Sequence, residues 1–335
     1  QAEDRRLDGR RDAAGPEAVL SARVQQAPFH QLPDDRSQPA RAFWAQAGDG
    51  VRLRMAHWPA DAARGSVLLF PGRTEYIEKY APVAHRLMAE GYDVLSIDWR
   101  GQGMSDRLQP NPRPGHIRDF ADYQHDVVEM IVAAEQLDLP RPWHLLAHSM
   151  GGCIGLAALE GGMAVQSAVF SAPMWGINLR RMQQGVALGI AYLAGRVGRG
   201  GLTAPGSGGA ATTYPLDESF NANLLTSNGD EWARLVREAV AWPDLTIGGA
   251  TFDWVGRALN ECARLSRIPS PDMPMLVSVG SDEKVVSPQA IRDRAARWPQ
   301  SELLTIPGAK HEILMETDAL RDLFYEAMLA RFEAS

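Results

Sequence analysis

Between Ser66 and Ile97 the chain spells strand, helix and strand in immediate succession, and that order limits the possible folds more than any other feature. Ser66-Val67-Leu68-Leu69-Phe70 is a short apolar run closed by Pro71-Gly72. Tyr80 to Glu90 repeats apolar residues at helical spacing and stops at Gly91, and Tyr92-Asp93-Val94-Leu95-Ser96-Ile97 is apolar again. Strands joined through a helix run parallel, because the crossover returns the chain to the end from which it left. The alternation continues with a helix over about 120–137, a strand at Trp143 to Ala147, a helix from about Gly151 and a strand at Ala164 to Ser171. This pattern predicts an α/β fold, a mostly parallel sheet with helices on both faces. Ahead of it, Phe43-Trp44-Ala45 and Val51-Arg52-Leu53-Arg54-Met55 flank a Gly48-Asp49-Gly50 turn, which reads as a hairpin.

From about Met174 to Ser270 the alternation stops. It resumes with a strand at Met275 to Val279, a helix at Pro288 to Trp298 with Ser287 as N-cap and Pro299 as stop, a strand at Leu303 to Ile306, and a terminal helix at Asp318 to Phe332. The 335 residues therefore divide into a leader over 1–38, one core domain over 39–174 and 271–335, and a helical cap over 175–270 inserted across one edge of the sheet. The leader is rich in charge, Pro and Ala and is expected to stay outside the core. The cap carries a small-residue segment, Gly198 to Thr213, and helices around Trp232 to Ala241 and Phe252 to Leu265.

Composition removes whole classes of function. Hydrophobic residues at 45% and charged residues at 22% describe a compact globular chain. With 34 Lys+Arg against 41 Asp+Glu, a formal charge of −7 and no long basic block, no nucleic-acid footprint exists. Cys153 and Cys262 form no CxxC pair, and Cys153 reads as a small core residue; a reducing compartment is compatible with both. No His/Asp/Glu cluster has metal-ligand spacing, so the chemistry requires neither metal nor other cofactor. Val186 to Gly195 is about half of the ~20 residues a spanning helix needs; it suits an acyl tunnel, a membrane surface or packing of the cap. Arg180-Arg181 beside it reads as a solvated helix face, ahead of the alternative that it binds a lipid phosphate. The sequence opens at Gln1 rather than Met, as a processed amino terminus would, and a removed signal peptide is compatible with it.

Ala147-His148-Ser149-Met150-Gly151-Gly152 lies where a strand ends and a helix begins. A tight turn there pushes a serine Oγ out of the sheet, small neighbours let the backbones pass, and the helix aims its N–H groups at the reacting centre. Ser149 is thus the candidate nucleophile, with Ala147 in place of the usual first glycine. In this architecture the base follows the nucleophile along the chain. Of eight histidines only His311 does, in the loop Pro307-Gly308-Ala309-Lys310-His311-Glu312 after a strand. An oxyanion hole needs one N–H from the residue after the nucleophile and one from an early loop; Met150 and Arg73, the latter in Phe70-Pro71-Gly72-Arg73-Thr74-Glu75, supply them. Asp98-Trp99-Arg100-Gly101-Gln102-Gly103-Met104-Ser105 lacks the third spaced glycine of a dinucleotide loop and reads as a turn bracing the site floor.

Four blocks, FPGRTEYIEKY (70–80), DWRGQGMSDR (98–107), LLAHSMGG (145–152) and PGAKHEIL (307–314), resemble the serine α/β-hydrolases of the lysophospholipase and monoacylglycerol lipase group, especially bacterial inner-membrane-associated lysophospholipases. The chain departs from that group in Pro71-Gly72, where His-Gly is more usual, and in Ala147. The resemblance implies the α/β-hydrolase fold, hydrolysis of the ester of a single-acyl lipid, peripheral membrane contact through the cap, and a place in the cytoplasm or against the inner membrane. It also implies an acid three residues after the strand-ending Gly280, followed by a basic or polar residue and two apolar ones. That register favours Glu283, followed by Lys284-Val285-Val286, over Asp282, which has the commoner side chain one position early. A peptidase or other serine hydrolase on the same fold, and a ligand-binding homologue without turnover, are the rival readings.

Overall fold

The structure, a computed structural model, describes residues 25–209 and 211–335. Strands β1 (Arg41–Gln46) and β2 (Arg52–Trp58) form the expected antiparallel hairpin. Beside β2 lies β4 (Tyr92–Asp98), then β3 (Gly65–Phe70), β5 (Trp143–His148), β6 (Ser167–Ser171), β7 (Met275–Gly280) and β8 (Ser301–Ile306), in one eight-stranded sheet of order β1-β2-β4-β3-β5-β6-β7-β8. All pairings from β4 to β8 are parallel. β3 to β7 are buried along their whole length, which explains why they read as apolar runs rather than alternating ones. Helices α1 (Ala81–Ala89), α2 (Tyr123–Gln136) and α3 (Met150–Glu160) follow β3, β4 and β5.

The insertion holds α4 (Arg181–Arg196), α5 (Tyr214–Asp217), α6 (Gly229–Ala241) and α7 (Phe252–Leu265). It leaves after β6 and returns at β7, which are neighbours inside the sheet, so it does not cross a sheet edge as the sequence suggested. Instead it lies over the carboxyl ends of the strands, where Ile177 bridges Val286 and residues 204–209 join Ser149 around one cavity. Strand order is a non-local property, and the linear pattern carried no sign of it. Asn228 caps α6 by accepting from the N–H groups of Asp230 and Glu231, and Thr251 caps α7 by accepting from Trp254 N–H. Ala191 of α4 packs on Gly256 of α7, where a Cβ would approach to 3.1 Å.

After β7, Ser287 caps α8 (Pro288–Ala295). That helix ends three residues before Trp298, whose indole N–H is drawn away to Met273 O at 2.9 Å. α9 (Asp318–Glu333) closes the chain against β6, β7 and β8. The leader also differs from expectation. Its first 24 residues lie outside the described residues, but Trp44 N–H donates to Gln25 O and Ala27 N–H to Ala42 O, and Ala27 and Leu32 are buried. The segment from Gln25 thus covers the otherwise open edge of β1.

Candidate active site

Ser149 occupies the single residue between β5 and α3 with φ 50° and ψ −117°, a conformation that costs a side-chain-bearing residue about 1–3 kcal/mol. The surroundings enforce it. A Cβ on Gly151 would lie 2.2 Å from Phe70 O and 2.5 Å from Pro71 O, and one on Gly152 would lie 2.4 Å from the Pro173 Cβ. Both glycines therefore let α3 start against neighbouring backbone. Ala147 is fully buried at the end of β5, and even a Cβ on Gly155 of α3 would meet its methyl group at an ordinary 3.5 Å, so the elbow has room for alanine. The serine is pushed out at the carboxyl end of the sheet, as an elbow of this type requires.

His311 Nε2 stands 2.9 Å from Ser149 Oγ, and its Nδ1 stands 2.7 Å from Glu283 Oε2. Oε1 of the same glutamate accepts from the N–H groups of Val285 (2.6 Å) and Val286 (3.0 Å). Burial opposes ionisation of Glu283, but the charge and hydrogen bond of His311 and the two main-chain donors outweigh it and hold the carboxyl below its ordinary value. Asp282 is exposed, and its carboxylate meets the Ser281 hydroxyl at 3.1 Å. The structure thus brings Ser149, His311 and Glu283 into one relay and leaves Asp282 outside it.

Arg73 and Met150 flank the serine. Gly72 N–H donates to the Glu75 carboxylate and Thr74 N–H to Gln102 Oε1 at 3.0 Å, whereas among the described residues no hydrogen bond engages the main-chain N–H of Arg73 or of Met150 at the start of α3. Two free donors at these positions suit a developing oxyanion. The turn after β4 holds the early loop in shape, with Trp99 Nε1 donating to Pro71 O at 2.8 Å and Gln102 Nε2 to Gly72 O at 3.0 Å.

Beneath the relay lies a buried charged cluster that the sequence did not reveal. Lys79 Nζ bridges Glu75 Oε1 (2.5 Å) and Glu312 Oε1 (2.8 Å), and His148 Nε2 lies 3.2 Å from Glu312 Oε2. The His148 ring centre is 4.9 Å from that of His311. Burial drives His148 towards neutrality, but Glu312 and Glu75 raise its pKa overall. Burial likewise opposes ionisation of Glu312, and Lys79 and His148 more than reverse that effect. Glu75, His148 and Glu312 offer ligand atoms within 4.8 Å of one another, a grouping that spacing along the chain could not disclose, but Lys79 already supplies the cation between the two carboxylates. The available signals were Glu75 and Lys79 one helical turn apart, and His148 and Glu312 each adjacent to a relay residue.

A strap from the insertion, residues 223–228, was missed as well. His311 N–H and Glu312 N–H donate to Leu224 O (3.4 Å) and Leu225 O (2.8 Å). Fully buried Glu316 accepts from Lys310 N–H at 2.8 Å, Ser227 N–H at 3.0 Å and the Ser227 hydroxyl. The strap therefore fastens the insertion directly to the histidine loop.

Ser149 and His311 open into a cavity of about 930 Å³ whose apolar lining includes Met174, Ile177, Val186, Ile190, Trp254 and Val286. The profile of the family described as serine aminopeptidase, S33 matches residues 61–318. The chain belongs to this family. It is 31% identical over 306 residues to the probable lysophospholipase L2 of Haemophilus influenzae, covering 89% of this chain and 95% of that protein. It is 32% identical over 331 residues to lysophospholipase L2 of Escherichia coli K12, covering 88% and 90%. Among solved structures, a soluble variant of monoglyceride lipase from Saccharomyces cerevisiae, in complex with a substrate analog, superposes with a TM-score of 0.68 at 20% identity over 91% of this chain and 99% of that one. Members of this fold family are α/β-hydrolases, and the eight-stranded, mostly parallel sheet is theirs.

Proposed function

We propose that this chain hydrolyses the ester of a single-acyl lipid, a lysophospholipid or a monoacylglycerol, through an acyl-enzyme on Ser149. It is a carboxylic ester hydrolase. His311 Nε2 takes the proton of Ser149 as Oγ attacks the ester carbonyl, and the imidazolium then forming is stabilised by Glu283 across Nδ1. The N–H groups of Arg73 and Met150 receive the oxyanion. His311 returns the proton to the leaving alcohol, and a water activated by the same imidazole releases the fatty acid. The observation that carries this reading is the Ser149–His311–Glu283 relay at 2.9 and 2.7 Å, opening on an apolar cavity wide enough for an acyl chain.

The substrate reaches that cavity past an insertion with an unusual surface. Met182, Val186, Ile190 and Leu193 along α4 and Val197 at its C-cap recur at helical spacing and are all exposed, Met182 to 79%, and the first three also line the cavity. Exposed Arg180, Arg181, Arg196 and Arg199 stand at the two ends of the same helix. An apolar stripe between basic ends fits the interface of an anionic membrane, and no helix among the described residues is long and apolar enough to cross one. In this reading the chain works in the cytoplasm or at the inner-membrane surface.

The experiment is a panel of lysophosphatidylcholine, monoacylglycerol, a short p-nitrophenyl ester and an aminopeptidase substrate. Ester cleavage with an advantage for single-acyl lipids is expected; amide cleavage without ester cleavage would transfer the relay to a peptidase. Flotation with vesicles containing anionic lipid tests the surface reading, and Leu193→Asp, outside the cavity lining, should weaken it.

A further inference from the structure

Two cations line the cavity among the described residues, and they are treated differently. Lys79 is held between two carboxylates, as buried charges ordinarily are. Arg73, partly buried, forms no ion pair among the described residues. Its Nη2 donates to Gly248 O at 2.8 Å and its Nη1 to Thr74 Oγ1 at 3.1 Å, both neutral acceptors, while Nε has no partner. A guanidinium carries five N–H donors, so most of this one's capacity is unspent. Its Cζ lies 5.1 Å from the Trp254 ring centre, and burial without a compensating acid pulls its pKa down to about 10.

The chain also keeps space for this group. A Cβ on Gly115 would fall 2.7 Å from Nη2 and 3.2 Å from Nε. The guanidinium is therefore held by Gly248 and Trp254, across a gap left by Gly115. It belongs to the residue that carries one of the two candidate oxyanion donors, and Arg73 lines the same cavity as Ser149. The apolar wall where Ile177 bridges Val286 is a different one and suits the hydrocarbon.

We infer that Arg73 recognises the phosphodiester of the leaving group, so that the preferred substrate is a single-acyl glycerophospholipid rather than a monoacylglycerol. A phosphodiester presents two oxygens that share one negative charge to the planar fork of an arginine, and its arrival supplies the counter-charge that this guanidinium lacks. A monoacylglycerol offers only hydroxyl groups there. The inference rests on the ester-hydrolase reading above and adds which head group it takes.

The test compares kcat/KM for lysophosphatidylcholine and for the monoacylglycerol of the same acyl chain, both as monomers, in the wild-type chain, Arg73→Gln and Arg73→Lys. Both variants keep the main-chain N–H, and any disturbance of the oxyanion loop slows both substrates and cancels in the ratio. Charge-assisted hydrogen bonds of this kind correspond to about a 10- to 100-fold fall in the phospholipid-to-neutral ratio for Arg73→Gln, carried mainly by KM, with partial retention in Arg73→Lys. An unchanged ratio overturns the inference while leaving the hydrolase reading standing. Turnover of neither lipid by the wild-type chain removes that reading and the inference with it. If Arg73→Gln does not fold, inhibition of wild-type p-nitrophenyl butyrate hydrolysis by glycerophosphocholine but not by glycerol supports the site, and equal indifference to both overturns it.

Discussion

Glu283→Gln is expected to lower kcat/KM on a short p-nitrophenyl ester by about ten-thousand-fold while leaving the fold in place. The magnitude follows from three hydrogen bonds. Val285 and Val286 N–H both point at Oε1, so a glutamine must keep its carbonyl oxygen there; the reverse orientation would set donors against donors. Its NH2 then faces His311 Nδ1, which must become an acceptor and surrender its proton to Nε2. Ser149 Oγ lies 2.9 Å from that nitrogen, and a protonated Nε2 cannot take the serine proton. At about 1.36 kcal/mol per tenfold, the loss is about 5.5 kcal/mol of transition-state stabilisation. Two of the three hydrogen bonds survive unchanged and the third is reversed and loses its charge, so stability should move by no more than about 1 kcal/mol. Asp282→Asn is the control; its carboxylate is exposed and among the described residues meets only Ser281, and a surface change of this kind should stay within about twofold. Steady-state kinetics with a urea unfolding curve for each variant is the assay. Retention of more than about a tenth of the activity in Glu283→Gln, or an equal defect in Asp282→Asn, would refute the relay argument.

Gly151→Ala should destabilise the chain by about 3 kcal/mol or more, because its Cβ would fall 2.2 Å from Phe70 O; an unchanged urea midpoint would contradict this. His148 has a folded pKa above its ordinary 6.5, so its contribution is fully present below pH 6.5 and fades as pH rises through the raised value. The stability gap between wild type and His148→Gln should accordingly shrink from about pH 6 to pH 9, and a gap that widens with pH would reverse the assignment. Glu316→Ala strands the Lys310 and Ser227 donors and should cost about 3 kcal/mol. Because the strap holds His311 and Glu312, the same variant should also slow esterolysis; loss of stability with full turnover would show the strap to be a tie only.

The central strands and their helices were readable because each buried parallel strand is a short apolar run stopped by Gly, Pro or a polar turn. Ser149 and His311 stood out by order along the chain, and Glu283 by the register after Gly280 that the family resemblance implies. That register carries information because the same carboxylate that faces His311 also closes the turn through Val285 and Val286. What was not legible was assembled from distant segments. Glu75, Lys79, His148 and Glu312 come from three separate stretches and look like ordinary charges in each. The strap at 223–228 has no periodicity, since within itself it is held by the Asn223 and Thr226 side chains rather than by a repeating main-chain pattern, and its other bonds run to the histidine loop. Gln25 to Ala27 is too short a run to announce that it covers β1.

The most direct test of the account is the site of covalent capture by a fluorophosphonate, mapped by mass spectrometry of the digested chain. A single adduct on Ser149, absent in Ser149→Ala and slowed in Glu283→Gln, is the predicted result, accompanied by roughly a million-fold loss of ester turnover in Ser149→Ala. An adduct on another residue, no adduct at all, or ester turnover in Ser149→Ala above about a tenth of the parent value would contradict it.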